Sequence, residues 1–360
     1  MKILHLIQKP QNRGAEMFTC QISNHLVKFG HQVKIVALFE GDAVLPFHGE
    51  ITYLIASAKN RFFDVSAWKK LARIVNDFQP DIVQANAGDT LKYAVFSKKI
   101  FRWKQPLVFR NASEVGRYLK SPIQKTLNSF FYKNVEFVIS VSRASEQDIL
   151  YHFPYLLGKT KVIPVGLETI SNIEELCLKP ENSQHIVHVG GFTFEKNHIG
   201  LIKIFQLLLE KHSEAHLHLV GDGPLKEEVE NAVSANNLND KVSFYGFVND
   251  PLTYIEAADV LVLPSIIEGL PGVILEAMIC KTPVVAFNVG GISEILNENT
   301  GSLISKGDNL SFTNAILEAL HNKNTEQTEA AFSLVTSNFM NTDLALKFIN
   351  SYNKLVLDKQ

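Results

Sequence analysis

The stretch Asp259-Val-Leu-Val-Leu-Pro-Ser-Ile-Ile-Glu-Gly-Leu-Pro-Gly-Val-Ile-Leu-Glu276 reads as a strand, a loop and the start of a helix. The apolar run up to Pro264 has strand length, and Ser265 to Gly269 is too polar and glycine-bearing to extend it. Pro271 suits the first turn of a helix, where its missing N–H costs nothing. Glu268 therefore precedes the helix and Glu276 falls in its second turn. A carboxylate just outside a helix N-terminus can hold sugar hydroxyls, and one a turn further in can hold a ribose diol. The free N–H groups of Gly272 and Val273 meanwhile point at an anion. Taken alone, the two acids read more simply as a partner of the helix dipole and a surface carboxylate.

The same strand-turn-helix unit recurs on either side. Val187-His-Val-Gly-Gly-Phe-Thr-Phe-Glu-Lys-Asn197 is a strand, a glycine turn and a helix start, with Lys196 placed to reach a pyrophosphate. Val220-Gly-Asp-Gly-Pro224, Phe244-Tyr-Gly-Phe-Val248 and Ala286-Phe-Asn-Val-Gly-Gly-Ile-Ser-Glu294 follow. Strands are expected near 185–190, 215–220, 241–245, 259–263 and 283–286, with helices near 197–210, 224–236 and 270–280. The first half shows the same alternation, with strands near 2–7, 32–38, 81–84, 106–110, 136–141 and 160–164 and helices near 15–29, 66–78, 120–133 and 143–152. Such alternation predicts an α/β fold of two doubly wound, Rossmann-like domains, 1–172 and 173–340, joined by the polar segment Asn172 to Ser183 and facing one another across a cleft. Beyond about 308 the pattern is helical. The last helix, near 341–356, carries Leu344, Phe348, Ile349, Tyr352 and Leu355 on one face, so residues 341–360 are expected to dock back on the first domain.

At 360 residues the chain exceeds one comfortable core, and 46% hydrophobic with 20% charged residues excludes disorder or fibre. The net charge of −2 conceals an asymmetry: residues 1–172 hold 23 Lys and Arg against 13 Asp and Glu, the remainder 12 against 24. All seven arginines lie in the first half. A basic half predicts an anionic partner such as lipid headgroups or a lipid-phosphate substrate, and no nucleic-acid motif accompanies it. Two segments interleave basic and aromatic residues, Lys98-Lys-Ile-Phe-Arg-Trp-Lys104 and Lys59-Asn-Arg-Phe-Phe63. They are candidates for a peripheral contact with an anionic membrane, and equally for a solvated helix end and a loop whose rings turn into the core. No run approaches the roughly 20 apolar residues of a membrane-spanning helix. Cys20, Cys177 and Cys280 match no metal spacing and read as buried thiols of a reducing cytoplasm. The histidines, among them His185, His188, His198, His216 and His218, show no zinc pattern and are expected to be packed or hydrogen-bonded.

In this order the second-half segments resemble glycosyltransferase family four, whose members have the GT-B fold. The elements that carry the resemblance stand here as Gly190 to Lys196-Asn197, Val220-Gly-Asp-Gly-Pro224, Pro264-Ser-Ile-Ile-Glu-Gly-Leu-Pro-Gly-Val-Ile-Leu-Glu-Ala-Met278 and Pro283-Val-Val-Ala-Phe-Asn-Val-Gly-Gly-Ile-Ser-Glu294. It is strong over 185–305 and loose in the first half, through Asn12-Arg-Gly-Ala-Glu16, Ser140-Val-Ser142 and Lys161-Val-Ile-Pro-Val-Gly166. The resemblance implies a retaining, metal-independent transferase. It would use a nucleotide-diphosphate sugar, UDP-sugar before GDP-sugar, and a glycan or lipid-linked acceptor of cell-surface polysaccharide or lipopolysaccharide synthesis, at the cytoplasmic face of the membrane. It makes Lys196, Glu268 and Asn111 the catalytic set, with Lys196 and the amides around Gly269, Leu270, Gly272 and Val273 on the diphosphate. Glu276 then takes the ribose, backbone around Val248 the base, and Gly14 with Glu16 the acceptor side. No cofactor or metal is implied.

Three departures stand out. Many relatives place an Arg after the first Gly of the phosphate segment, where this chain has Gly190-Gly191-Phe192. Either Lys196 works alone or a first-half arginine, Arg13 or Arg143, joins it. A His often found after the fifth strand is replaced by Arg110-Asn111, and an amide positions but carries no proton. Val165-Gly166 replaces the usual Asn-Gly of the interdomain segment. A sugar-nucleotide epimerase on the same plan and a non-catalytic partner subunit are the two alternatives.

Overall fold

The computed structural model describes residues 1–57, 63–170, 173–322 and 324–357. The backbone falls into two units, Met1–Glu168 with Asn341–Gln360, and Thr169–Met340. In the first unit the apolar runs become β1 (Lys2–Ile7), β2 (Gln32–Ala37), β3 (Ile51–Tyr53), β4 (Ile82–Ala85), β5 (Leu107–Asn111), β6 (Phe137–Ser140) and β7 (Thr160–Val162). The helices between them are α1 (Gly14–Lys28), α2 (Val65–Phe78), α3 (Gly88–Phe101), α4 (Pro122–Tyr132) and α5 (Arg143–His152). All strands pair in parallel, in the order β3-β2-β1-β4-β5-β6-β7.

Strand alternation divides the core of this unit. Leu4, Leu6, Val83 and Phe109 pack with Trp68 and Leu71 of α2 and Tyr93 and Val95 of α3. Ile3, Ile82 and Val108 point to the other face and pack with Phe18 and Ile22 of α1.

The second unit repeats the plan with β8 (Gln184–Val189), α6 (His198–Leu209), β9 (Ala215–Val220), α7 (Lys226–Ala235), β10 (Val242–Gly246) and α8 (Leu252–Glu256). It continues with β11 (Val260–Leu263), α9 (Gly272–Ile279), β12 (Val284–Phe287), β13 (Ser302–Ile304), α10 (Asn309–His321) and α11 (Thr325–Asn338). Its parallel sheet runs β10-β9-β8-β11-β12-β13. Strand β11 is buried along its whole length, as its unalternating apolar sequence requires. The strands β3 and β13 and the helices α3 and α8 were not among the elements expected from sequence.

The last helix, α12 (Asn341–Leu357), belongs to the first unit. Leu344, Phe348 and Tyr352 are buried beside α1, and each such side chain contributes roughly 1.5–3 kcal/mol on burial. A polar layer completes the seat: Tyr352 Oη donates to Gln84 Oε1 at 2.6 Å, and the buried Arg110 guanidinium lies 4.4 Å from the Phe18 ring centre and 5.1 Å from that of Phe348. Burial lowers the Arg110 pKa to about 9. The cysteines correct one expectation. Cys20 is buried and Cys280 half-buried, but Cys177 is exposed, because the segment from 173 to 178 has no regular structure to cover it.

Candidate active site

In an open parallel sheet the crevice opens where neighbouring strands lead to opposite sides, outside their carboxyl ends. In the second unit that point lies between β8 and β11, and the loops after these two strands carry Lys196 and Glu268. The ammonium of Lys196 donates to Glu268 Oε1 at 2.7 Å, with the side chains 21% and 11% exposed. Such cover makes the pair stronger than a surface ion pair, because solvent screens it less. An ammonium carries three donors, so the pairing leaves capacity for a phosphate oxygen.

Backbone contacts fix the two loops against each other. Asn197 adopts the left-handed conformation, φ 56°, and caps α6 by accepting the Gly200 N–H. Its amide also donates to Pro264 O at 3.0 Å. The Ile266 N–H donates to Glu195 O at 2.8 Å, and the Gly291 N–H to Gly269 O at 2.8 Å. Gly290 is required here: its φ is +56°, and a Cβ would overlap the backbone carbonyl oxygen of Glu268. Gly290→Ala is expected to cost roughly 2–4 kcal/mol of stability through strain and overpacking, and to lower turnover by moving Glu268. Calorimetric melting with a transfer assay checks both.

Helix α9 begins beyond Pro271, with the N–H groups of Gly272 and Val273 in its first turn and both residues partly exposed. Gly269 and Leu270 are buried beneath. Glu276 keeps some exposure, yet burial of its carboxyl, reinforced by the nearby charge of Asp250 and opposed by Lys196, pushes its pKa up to about 7. Near neutral pH the group is poised between a hydrogen-bond donor and a pure acceptor. Val248 lies half-buried in the loop after β10, beside the exposed Phe247. Asn197 and Gly290 stand inside the quoted motifs, but their contacts, like that of Asp250, join loops distant in sequence and were not legible there.

His185, His188, His216 and His218 are buried along β8 and β9, and His198 opens α6. His188 Nδ1 donates to Val262 O at 2.9 Å, His185 and His218 share a ring-to-ring hydrogen bond at 3.0 Å, His218 meets Tyr245 Oη and His216 meets Ser243 Oγ. His198 is packed without hydrogen bonds: it stacks on Phe192 at 4.0 Å between ring centres, and neither ring nitrogen has a hydrogen-bond partner. Burial, reinforced by neighbouring positive groups, lowers the pKa of His198 to about 2 and of His218 to about 3. Burial likewise takes His188 down to about 4. Among the described residues no group of three or more His, Cys, Asp or Glu is placed to hold a metal ion.

The first unit has its own switch point, between β1 and β4. Arg13 flanks the N-terminus of α1 and Gly14 opens it, both exposed. Glu16 is buried and accepts from Gln11 Nε2 at 3.0 Å, and burial raises its pKa. Gln11 lies 3.5 Å from Gln8, which donates to Asp89 of α3 at 2.8 Å. This polar row is new relative to the sequence reading, which had no helix at 88–101. Arg143 is exposed at the first residue of α5. Asn111 is buried, and its amide donates to Ser145 O at 3.0 Å and Ser140 Oγ at 3.4 Å, so it anchors α5 to β5 and does not present its donors to a ligand. The rings of the basic segment 98–104 turn inward: Trp103 is buried with Nε1 donating to Ser97 Oγ, and Phe101 packs on the core. Of the segment 59–63, residues 59–62 lie outside the described residues.

Two family models match this chain end to end of one another, Glycosyltransferase Family 4 over residues 12–170 and Glycosyl transferases group 1 over residues 171–332. The chain belongs to the family 4, group 1 glycosyltransferases. It is 26% identical over 60% of its length to an uncharacterised glycosyltransferase of Methanocaldococcus jannaschii, of which the match spans 58%. A Campylobacter jejuni α-1,4-N-acetyl-D-galactosaminyltransferase, named for an undecaprenol-diphosphate-linked glycan, is 25% identical over 90% of both chains. Among solved structures, Anabaena HepE in complex with UDP-glucose has a TM-score of 0.82, with 20% identity over 98% of this chain and 100% of that one. At that identity the likeness establishes the fold, two Rossmann-like units of the GT-B type.

Proposed function

We propose that this glycosyltransferase is a retaining, metal-independent enzyme. It moves a hexose or N-acetylhexosamine from a nucleotide-diphosphate sugar, UDP-sugar in preference to GDP-sugar, to a glycan or lipid-linked acceptor of cell-surface polysaccharide or lipopolysaccharide synthesis. The observation that carries this reading is the 2.7 Å pair of Lys196 and Glu268 at the β8/β11 switch point, with Glu276 a helix turn inside α9. Lys196 and the N–H groups of Gly272 and Val273 meet the diphosphate, whose charge grows as the bond to the sugar breaks. Glu268 holds the sugar hydroxyls and Glu276 the ribose diol, while backbone around Val248 meets the base. Either Lys196 serves the diphosphate alone or a first-unit arginine, Arg13 or Arg143, joins it, and Gly14 and Glu16 are assigned to the acceptor. Asn111 acts by positioning α5.

The donor preference is supported by the UDP-glucose complex of HepE, and the lipid-linked acceptor by the Campylobacter relative. The acid-poor first unit is consistent with work at the cytoplasmic face of a membrane, and among the described residues no helix is long and apolar enough to cross one. A thermal-shift screen against UDP-, GDP-, ADP- and CMP-sugars tests the donor assignment. A ligand at about 100 times its Kd stabilises the fold by about 2.7 kcal/mol, which raises Tm by roughly 5–10 °C for a domain of this size. The shift is expected with UDP-sugars. A flat screen overturns the reading, and conversion of the sugar nucleotide without acceptor favours an epimerase.

A further inference from the structure

Helix α4 is exposed in a way that its sequence does not suit. Residues 122–127, nearly two turns, are all exposed, and only Phe131 and Tyr132 of the last turn are buried. At 100° per residue Ile123, Leu127 and Phe130 share one face, and they are 80%, 40% and 40% exposed. Phe130 contacts Phe96 of α3, and Ile100, one turn beyond Phe96, is 49% exposed, so the apolar strip continues onto the next helix.

The charge around this strip is predominantly positive, and of its cations Arg117 is paired with Glu114 at 3.0 Å. Between Glu114 and Glu136 there is no acid, while Arg117, Lys120, Lys125 and Lys133 are all present. Lys133 leads from the end of α4 into a cavity of about 600 Å³ lined by Lys98, Lys99, Arg102, Lys133 and Lys159, with Glu136 as its single acid. Glu136 is itself paired with Lys98 at 2.8 Å. Before β7, Tyr155 lies under the Lys133 ammonium, 5.6 Å from its ring centre, and shares a hydrogen bond with Ser129 of α4.

We propose that α4 is an interfacial helix that seats this unit on an anionic phospholipid surface. Ile123, Leu127 and Phe130 enter the boundary between headgroups and acyl chains, and the cavity rimmed by Lys99, Arg102, Lys133 and Lys159 takes the lipid phosphates. Apolar side chains ringed by cations match a bilayer, whose surface offers negative charge above hydrocarbon. The surface takes in the outer side of the segment 98–104, whose aromatic rings turn inward while Ile100 is exposed and Lys99 and Arg102 line the cavity. The inference deepens the lipid-linked acceptor reading and names the surface, but vesicle binding is measured without donor or acceptor, so either can fail alone.

The test is flotation of the full chain with phosphatidylcholine vesicles, with and without phosphatidylglycerol, at low salt. The wild type is expected to bind the anionic vesicles and to leave them as salt rises. Ile123→Gln with Leu127→Gln is expected to weaken binding at least tenfold with an unchanged melting curve, because both side chains are exposed. Lys125→Gln with Lys133→Gln should weaken it similarly and flatten the salt dependence. Wild type that ignores anionic vesicles overturns the proposal, as does the apolar double variant binding like wild type. A wild-type dimer that the same double variant makes monomeric, in the absence of vesicles, also overturns it and assigns the strip to a second copy of the chain.

Discussion

Lys196→Ala is expected to lower kcat/KM for transfer by about 10²–10³, close to the effect of losing one donor that stabilises a developing anion in other enzymes. The second unit contains no arginine, so within it the charge that accumulates on the departing diphosphate has Lys196 as the cation set beside the switch point. Part of the loss is indirect, since Glu268 is 11% exposed and would lose its ion partner. Glu268→Gln separates the two effects by keeping shape and removing charge. If Lys196 acts on the diphosphate, the double variant will fall no further than Lys196→Ala by more than a few-fold, and the interaction energy from the cycle will be large. Full activity of Lys196→Ala would remove the residue from the mechanism.

Acidification is expected to weaken the second unit in a pH range where most proteins lose little. His188, His198 and His218 have pKa values near 4, 2 and 3, against 6.5 in the unfolded chain. Below 6.5 the unfolded chain takes up protons that the folded one refuses, so their contribution is complete above 6.5 and is lost as pH falls. Each costs about 1 kcal/mol between pH 7 and 5.5. Glu276 runs the other way: its raised pKa makes the folded state bind the extra proton, so stability rises as pH falls from about 7, offsetting at most about half of the histidine loss. The net expectation is a loss of about 2 kcal/mol, or a Tm lower by roughly 4–8 °C at pH 5.5 than at pH 7. His198→Phe keeps the stack on Phe192, removes two unpartnered ring nitrogens and should raise Tm while reducing the acid slope. Circular dichroism melts at the two pH values decide it, and a flat Tm in the wild type would contradict the buried neutral state of these rings.

The doubly wound plan was legible because a parallel sheet buries both faces of its strands, and apolar runs such as Val260–Leu263 and Leu107–Phe109 stand out against polar loops. Helix α3 was not. Its apolar residues reach round much of its surface, with Leu91, Tyr93, Ala94, Val95 and Ser97 all buried, so no helical stripe marks it. No side chain at Ala87 caps it, and the turn is closed by Thr90 accepting the Ala87 N–H. Asp89 was lost with the helix. The strands β3 and β13 have three residues each, too few for a pattern. At the candidate site the glycine turns, Lys196, Glu268 and Glu276 are local signals along the chain. The contacts that orient them are not: Asn197 on Pro264, Gly290 beneath Glu268 and Asp250 beside Glu276 join loops that sequence separates. Asn111 shows the converse, a residue in a conspicuous position whose amide N–H groups donate to Ser145 O of α5 and Ser140 Oγ of β6.

The central claim is that the loops after β8, β10 and β11 with α9 form a nucleotide-diphosphate site. Calorimetric titration of UDP into the wild type and Glu276→Ala tests it most directly, at pH 8, where Glu276 is mostly ionised and able to accept from the ribose hydroxyls that the proposal assigns to it. The account predicts one UDP per chain and binding at least tenfold weaker in the variant, a difference of about 1.4 kcal/mol, with both proteins folded. Absence of UDP binding by the wild type, or equal affinity in the two proteins, would contradict it.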